Sequence, residues 1–408
     1  MNIVIIGHVD HGKSTLVGRM LYDTGSIPEA LVEDVRAISK ELGKEMEFAY
    51  LLDSLEEERQ QNITIDTTQT FFSSEKRDYV IIDAPGHREF LKNMITGASM
   101  AQVAVLIVDV NIGMQEQTKR HAYLANLLGL EHLIVVLNKM DSAGYANAQF
   151  EKTRSEVLVF LQQFGITLRN VIPISAKDGD NVARRSSNMP WYSGAALVEA
   201  LDALTASVSE DSKNLRFPIQ DRYLVDGKTI YVGRVENGSV RNGEKVFVAP
   251  ANQPYTVNSI EVWNSKKELA LTGDSIGLTF KEPLDLLRGE VICSGSMPRT
   301  TDRFDATVFW LSTNAVTLKE ELLLKLATKE IPCVLEKIKT KIDSSSLNVL
   351  GSDCNDLRET EVGQVVIRAK GPVVIEDFNH VEGLGRFVLV RSDQIDGGGI
   401  IQNAEQQH

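Results

Sequence analysis

Residues 7–14 read GHVDHGKS and directly follow the apolar run NIVIIG at Asn2–Gly7. They fit the pattern G-x-x-x-x-G-K-S/T, in which a glycine-rich loop joins a strand to a helix and its N–H groups surround phosphates. In this pattern Lys13 reaches the β and γ phosphates, and the Ser14 hydroxyl ligates Mg²⁺. The sequence therefore predicts a nucleoside-triphosphate site. Its predicted phosphate-binding residues are Gly7, His8, Val9, Asp10, His11, Gly12, Lys13, Ser14 and Thr15.

The first 200 or so residues alternate short apolar runs with helical segments such as 117–128. The runs are rich in β-branched residues and lie at 2–7, 79–83, 103–110 and 132–138. Near-continuous apolar strands are typical of a parallel sheet that is buried on both faces. The alternation with helices predicts an α/β P-loop domain with a mostly parallel, doubly wound sheet over residues 1–210.

Beyond a polar stretch at 211–218, the pattern changes to short alternating runs separated by turn signals. Asn-Gly pairs at 237–238 and 242–243 lie between such runs, and this dipeptide favours β-hairpins. We predict two antiparallel β-barrel domains at residues 214–299 and 301–408, joined by a polar, proline-containing link. The stretch 318–326 resembles a helix by composition alone.

Three further motifs follow predicted strands in order, namely DAPG at 83–86, NKMD at 138–141 and SAK at 175–177. The Asp83 carboxylate can hold Mg²⁺ through water, and the Gly86 amide can contact a γ-phosphate. The Asp141 carboxylate can accept hydrogen bonds from N1 and N2 of guanine, a pair that adenine lacks. Together with the first loop, these motifs predict a site for GTP or GDP with Mg²⁺ at the strand ends. The predicted base-binding residues are Asn138, Lys139, Asp141, Ser175, Ala176 and Lys177.

The composition narrows the class of protein. The chain has 56 acidic and 43 basic residues, a net charge of −13, and no basic run longer than a pair. This balance argues against nucleic acid as a partner, although it permits a local basic face. No run of 18 apolar residues and no basic leader is present, so we expect a cytoplasmic protein without a membrane span. The three cysteines match no metal-binding or redox spacing.

The array of motifs resembles the translation-factor class of GTPases. By this resemblance, Thr64 is the switch threonine that completes Mg²⁺ coordination when the triphosphate is bound, and His87 positions the attacking water. Val9 and Ile63 would form an apolar gate beside that histidine. The resemblance thus implies Lys13, Thr64 and His87 as catalytic residues, and Ser14, Thr64 and Asp83 as metal ligands. The chain departs from the usual family pattern at Asn62, where a glycine is common.

Within this class, residues 83–98 and the first loop are similar to elongation factor Tu. Other segments resemble the GTP-binding large subunit of sulfate adenylyltransferase, and these lie at 58–66, 117–141, 179–192, 215–220, 288–291, 304–311 and 397–401. The favoured interpretation is a GTPase subunit that couples GTP hydrolysis to the formation of adenylyl sulfate from ATP and sulfate. It implies a small catalytic sulfate adenylyltransferase subunit as partner. The alternatives are an elongation-factor-like GTPase that carries aminoacyl-tRNA, and a termination or rescue factor.

Overall fold

A computed structural model describes residues 1–33, 48, 69–82, 101–127, 130, 132–163, 168, 170–204, 214–225, 227–262 and 265–402. The chain divides into two compact units, Met1–Ala206 and Ser207–His408. Six residues of the sequence predictions lie outside the described residues, namely Asn62, Ile63, Thr64, Asp83, Gly86 and His87.

The first unit is built on a six-stranded sheet with strand order β2-β3-β1-β4-β5-β6. Strand β2 pairs antiparallel with β3, and the other pairings are parallel. Every residue of β4 and β5 is buried, as expected for central strands covered on both faces. The predicted α/β fold is confirmed. The strands are β1 (Asn2–Gly7), β2 (Gln69–Ser73), β3 (Asp78–Ile82), β4 (Val103–Asp109), β5 (His132–Asn138) and β6 (Asn170–Pro173).

Helices accompany this sheet, residues 29–33 among the helical segments, and apolar side chains of the first helix join its core. Leu16, Met20 and Leu21 on the first helix are buried with Ile3 and Ile5 of β1. This packing fixes the first helix directly after the glycine-rich loop. The helices are α1 (Lys13–Asp23), α2 (Glu116–Leu127), α3 (Asn147–Gln162) and α4 (Leu197–Asp202).

The second unit contains two seven-stranded antiparallel sheets with the orders β10-β15-β7-β8-β14-β11-β12 and β18-β23-β24-β16-β22-β19-β20. Additional pairings of β10 with β11 and of β18 with β19 close six strands of each sheet into a barrel. The first set of strands is β7 (Arg216–Val225), β8 (Lys228–Arg234), β9 (Ser239–Arg241), β10 (Lys245–Ala249), β11 (Gln253–Val262), β12 (Ser265–Lys267), β13 (Leu269–Leu271), β14 (Ser275–Phe280) and β15 (Val291–Cys293).

The second set of strands is β16 (Arg299–Trp310), β17 (Val316–Thr317), β18 (Glu321–Leu326), β19 (Lys329–Asp343), β20 (Val349–Cys354), β21 (Asp356–Leu357), β22 (Glu361–Ile375), β23 (Arg386–Arg391) and β24 (Gln394–Ile401). One short helix, α5 (Glu382–Gly385), precedes β23. The GTPase-type unit is thus followed by β-barrel structure, as the sequence predicts. The predicted division of the second unit into domains at 214–299 and 301–408 stays a prediction.

Two local expectations differ from the structure. The stretch 318–326 contains the whole of strand β18, residues 321–326, in which every second residue is buried, as expected for a strand with one face toward the core. The Asn-Gly pair at 242–243 forms a turn and Gly238 of the other pair lies in a bend, but neither pair joins two hairpin strands, since β9 pairs with β13. Gly238 and Gly243 have φ values of 77° and 80°, a conformation that favours glycine, and a Cβ atom on Gly238 would also lie 2.7 Å from the Asn214 carbonyl oxygen. No helix within the described part of the chain is long and apolar enough to cross a membrane.

Candidate guanine-nucleotide site

The glycine-rich loop leaves β1 at Gly7 and enters α1 at Lys13. Gly12 caps the helix with a φ of 92°, and a Cβ atom there would lie 2.5 Å from Nδ2 of Asn138. Both the dihedral angle and the contact therefore require glycine at this position. The helix has no acidic residue in its first turn, so its positive end is available to an anion.

Lys13 is the cation of this loop. Its Nζ donates hydrogen bonds to the carbonyl oxygens of Gly7 and His8, both at 2.9 Å. The ammonium thus lies over the loop, where the motif places it beside the phosphates. Ser14, in the first turn of α1, is exposed, and its hydroxyl is accessible to a bound metal ion.

Asn138, at the end of β5, joins three loops of the site. Its Nδ2 donates to the carbonyl of His11 at 2.9 Å, and its Oδ1 accepts from the amide of Ala176 at 2.9 Å. The side chain is buried. The phosphate loop and the SAK loop at 175–177 are therefore held together by one amide group, before any ligand is considered.

Lys139 and Asp109 form an ion pair beside this amide, with Nζ and Oδ2 at 2.8 Å. Asp109 is the last residue of β4 and is almost fully buried. Burial opposes its ionisation, but the hydrogen bonds from Lys139 and from the Asn111 amide hold the pKa of this carboxyl below its usual range. Asp109 was not among the predicted site residues, although its position at the end of a buried strand was a visible signal.

Asp141 is oriented by the SAK loop. The hydroxyl of Ser175 donates to Oδ1 of Asp141 at 2.9 Å, and Ser175 is completely buried. Asp178 also lies next to this hydroxyl, and Tyr145 donates its phenolic hydrogen bond to Asp178 and Asp180, each at 2.9 Å. A carboxylate held in this way presents fixed acceptor oxygens, which is what recognition of guanine requires.

Two histidines at the phosphate loop are buried, His11 within the loop and His121 on α2. Nδ1 of His11 is 3.3 Å from both the Ile107 carbonyl and the Asp109 amide, and its ring centroid is 5.2 Å from that of His8. Burial lowers the pKa of His11, and burial followed by the nearby Lys13 charge lowers the pKa of His121 to about 3. Both rings are therefore neutral near pH 7 and add no charge of their own to the loop. His121 on α2 was not predicted from the sequence.

The structure thus brings together the predicted residues of the first loop, the NKMD loop and the SAK loop. Of the three predicted Mg²⁺ ligands, Ser14 belongs to the described residues, whereas Thr64 and Asp83 lie outside them, as does His87. Within the described ranges, no group of three or more His, Cys, Asp or Glu side chains is arranged to hold a metal ion by itself. An exposed serine hydroxyl at the head of α1 fits an ion that takes most of its ligands from phosphate and water.

Comparisons with known proteins agree with this architecture. Residues 1–208 match the family "Elongation factor Tu GTP binding domain", and residues 303–402 match "GTP-eEF1A C-terminal domain-like". Elongation factor 1-alpha of Pyrococcus furiosus is 42% identical over 403 residues, covering 95% of this chain and 94% of that protein. Elongation factor 1-alpha of Thermococcus sibiricus is 40% identical over 415 residues, covering 98% and 97%. A solved structure of Sup35 complexed with GDP aligns with a TM-score of 0.47 at 26% identity, covering 99% of this chain and 94% of that chain.

The fold and the glycine-rich site are those of a GTP hydrolase of the translation-factor class, which binds GTP or GDP with Mg²⁺. Within that class, the chain belongs to the family of elongation factor Tu and elongation factor 1-alpha.

The interpretation as a sulfate adenylyltransferase subunit is contradicted by these matches, and so is its small catalytic partner subunit. The segments that suggested it are short and scattered, whereas relatives named elongation factor 1-alpha align over nearly the whole chain. Short similarities scattered over the chain can arise from the fold and the chemistry that a whole GTPase class shares. They do not report which member of the class is present.

Proposed function

We propose that this protein is an elongation-factor-like GTPase that carries aminoacyl-tRNA while GTP is bound and releases it after hydrolysis. The observation that supports this most is the identity of 40–42% with elongation factor 1-alpha over almost the full length of both chains. The cytoplasm, where aminoacyl-tRNA is used, is the expected location.

In this proposal, the residues 7–15 surround the phosphates, with Lys13 at the β and γ phosphates and Ser14 on Mg²⁺. Thr64 and Asp83 complete the metal site, and the Gly86 amide contacts the γ-phosphate. His87 orients the attacking water. Guanine is recognised by residues 138–141 and 175–177, where Asp141 reads N1 and N2 and a backbone amide of the SAK loop reads O6. The Asn138 amide makes phosphate binding and base binding parts of one rigid site.

Charge along the chain is compatible with a tRNA partner on residues 214–299. Residues 214–299 contain eleven Lys or Arg and ten Asp or Glu residues, so the overall charge of −13 resides elsewhere in the chain. A nearly neutral surface predicts few phosphate contacts and hence a shallow dependence of tRNA affinity on salt. Recognition would then rest on the aminoacylated end of the tRNA more than on its backbone.

The test combines tRNA retention with a switch of nucleotide specificity. Asp141→Asn replaces a pure acceptor with a group that also donates, so it should favour the 2-oxo group of xanthine over the 2-amino group of guanine. We expect the wild-type protein to protect the ester of aminoacyl-tRNA with GTP and not with GDP, and the variant to do so with xanthosine triphosphate. Deacylated tRNA, which has no ester, is the matched control for retention and should not be retained with GTP.

Equal protection of aminoacyl-tRNA with GTP, with GDP and without nucleotide would overturn the carrier role. If the Asp141→Asn variant protected aminoacyl-tRNA with GTP and not with xanthosine triphosphate, Asp141 would not be the residue that recognises guanine.

A further inference from the structure

Arg19 lies on the phosphate-loop helix α1 but directs its charge toward the base-reading SAK loop. Its Nε pairs with Oδ1 of Asp23 at 2.8 Å, and its Nη1 donates to the carbonyl oxygen of Lys177 at 3.2 Å. The guanidinium also lies 4.9 Å from the ring centroid of Phe48. A Cβ atom on Gly179 would lie 2.2 Å from Nη2, so the cation packs directly against the loop.

The peptide group between Lys177 and Asp178 is held on both sides. Its carbonyl accepts from Arg19, and its N–H donates to Oγ of Ser175 at 3.1 Å. Fixing this peptide plane restricts the backbone before it, because only the φ and ψ angles of Lys177 separate it from the preceding peptide plane. Ser175 in turn donates to Asp141. Arg19 thus connects helix α1 to the hydrogen bonds that link residues 177–178, Ser175 and Asp141.

We propose that Arg19 is a positioning residue for guanine recognition, holding the backbone amide of Lys177 in place for the 6-oxygen of the base, since the Ala176 amide already donates to Asn138. This inference rests on the guanine-nucleotide site proposed above. Arg19 does not contact the base in this proposal. It acts through the Lys177 carbonyl, and its orientation depends on Asp23, since one guanidinium serves both acceptors.

Binding of three nucleoside diphosphates shows whether Arg19 positions the contact to the 6-oxygen or only stabilises the whole site. These are GDP, inosine diphosphate and the 6-thio analogue of GDP. Inosine diphosphate keeps the 6-oxygen but lacks the 2-amino group that Asp141 would read. The 6-thio analogue of GDP keeps N1–H and the 2-amino group but has a weaker acceptor at position 6. Comparing the affinities of GDP and these two analogues therefore measures the bond to the 6-oxygen and the bond to Asp141 separately.

For Arg19→Met we expect about a tenfold loss of GDP affinity, as for one hydrogen-bonding contact of charge-assisted strength. Inosine diphosphate should lose affinity by the same factor. The preference for GDP over its 6-thio analogue should fall by about threefold or more. Arg19→Lys, which keeps the charge but not the planar fork, should show a smaller loss of that preference. Arg154→Met on α3, where the arginine pairs with exposed Glu151, is the matched control and should bind as wild type.

Equal losses for GDP and its 6-thio analogue would overturn the proposal, because Arg19 would then support the site only as packing. Unchanged GDP affinity in both variants would overturn it as well. A wild-type protein that does not prefer GDP to ADP would instead refute the guanine-nucleotide site itself, and this inference with it.

Discussion

The two units of the chain use buried polar side chains in different ways. In residues 1–206, Asp109, Asn138 and Ser175 are buried at or just after the carboxyl ends of three neighbouring parallel strands. In residues 207–408, the buried charges Arg216 and Asp396 are each matched by an opposite charge within the same unit.

The difference shows which buried groups serve a ligand. Asp109, Asn138 and Ser175 converge on one edge of the sheet, where α/β proteins bind ligands, and they orient further donors and acceptors there. The buried charges Arg216 and Asp396 of the second unit instead form ion pairs, with Glu376 and Arg391 respectively. We therefore expect substitutions at the site in the first unit to change nucleotide binding and hydrolysis. Substitutions of the buried charges in the second unit should change the stability of that unit.

The largest effect is expected for Lys13→Ala. The substitution removes the cation facing the β and γ phosphates, which should cost several kcal/mol of transition-state stabilisation and so about a thousandfold or more in rate. Single-turnover GTP hydrolysis measures it. Lys152→Ala, at an exposed position of α3, is the control and should hydrolyse GTP at the wild-type rate. A Lys13→Ala protein with normal turnover would place the phosphates elsewhere.

The second expected effect is on stability and involves Arg216. Its Nε lies 2.5 Å from Oε1 of Glu376, and Nη1 donates to the Leu215 carbonyl at 2.8 Å. Arg216→Met leaves the Glu376 carboxylate without its buried partner, which should cost about 3 kcal/mol or more. The double variant Arg216→Met with Glu376→Gln should regain part of this loss, since no unpaired charge remains.

Hydrogen exchange in β7 and β22, compared with that in β4, assigns this loss to one unit. We expect faster exchange in the first two strands and unchanged GDP affinity. Arg303→Met serves as control, because Arg303 and Glu336 form an exposed pair of the kind worth about 1 kcal/mol or less. A fall in GDP affinity equal to the loss of stability would contradict the separation between the two units.

The sequence predicted the strand ends and the loops of the first unit because apolar runs and glycine motifs act locally. It missed Asp109, Tyr145 and His121, since their roles depend on which neighbouring strands and helices meet. Composition alone suggests a helix for residues 318–326, and only the alternating burial of residues 321–326 identifies strand β18. The choice between members of the GTPase class failed for a related reason. The segments that suggested the wrong member, in the nucleotide-binding unit and in the β-barrel unit, are too short to identify the partner, whereas the relatives named elongation factor 1-alpha align over nearly the whole chain.

The smallest effect is expected from pH and concerns His121. Burial holds its pKa at about 3 in the folded protein, whereas an unfolded histidine has a pKa near its ordinary value of about 6.5. The unfolded chain therefore binds a proton that the folded chain does not. Stability from this group is complete above about pH 6.5 and is lost as pH falls toward 3.

Between pH 6 and 5, one such group should lower the free energy of unfolding by about 1.4 kcal/mol per pH unit when fully developed. Exchange of the β4 amides, corrected for the intrinsic rate, reports this slope for the first unit. His121→Asn should reduce the slope by close to one proton even though it also lowers stability at pH 7. The pKa of His11 is also lowered by burial, so His11 should contribute part of the pH dependence that remains in His121→Asn. His380→Asn, at an exposed position, is the control and should leave the pH dependence unchanged. An undiminished slope in His121→Asn would mean that this ring takes up its proton in the folded protein, and that the phosphate loop rests on a charged group.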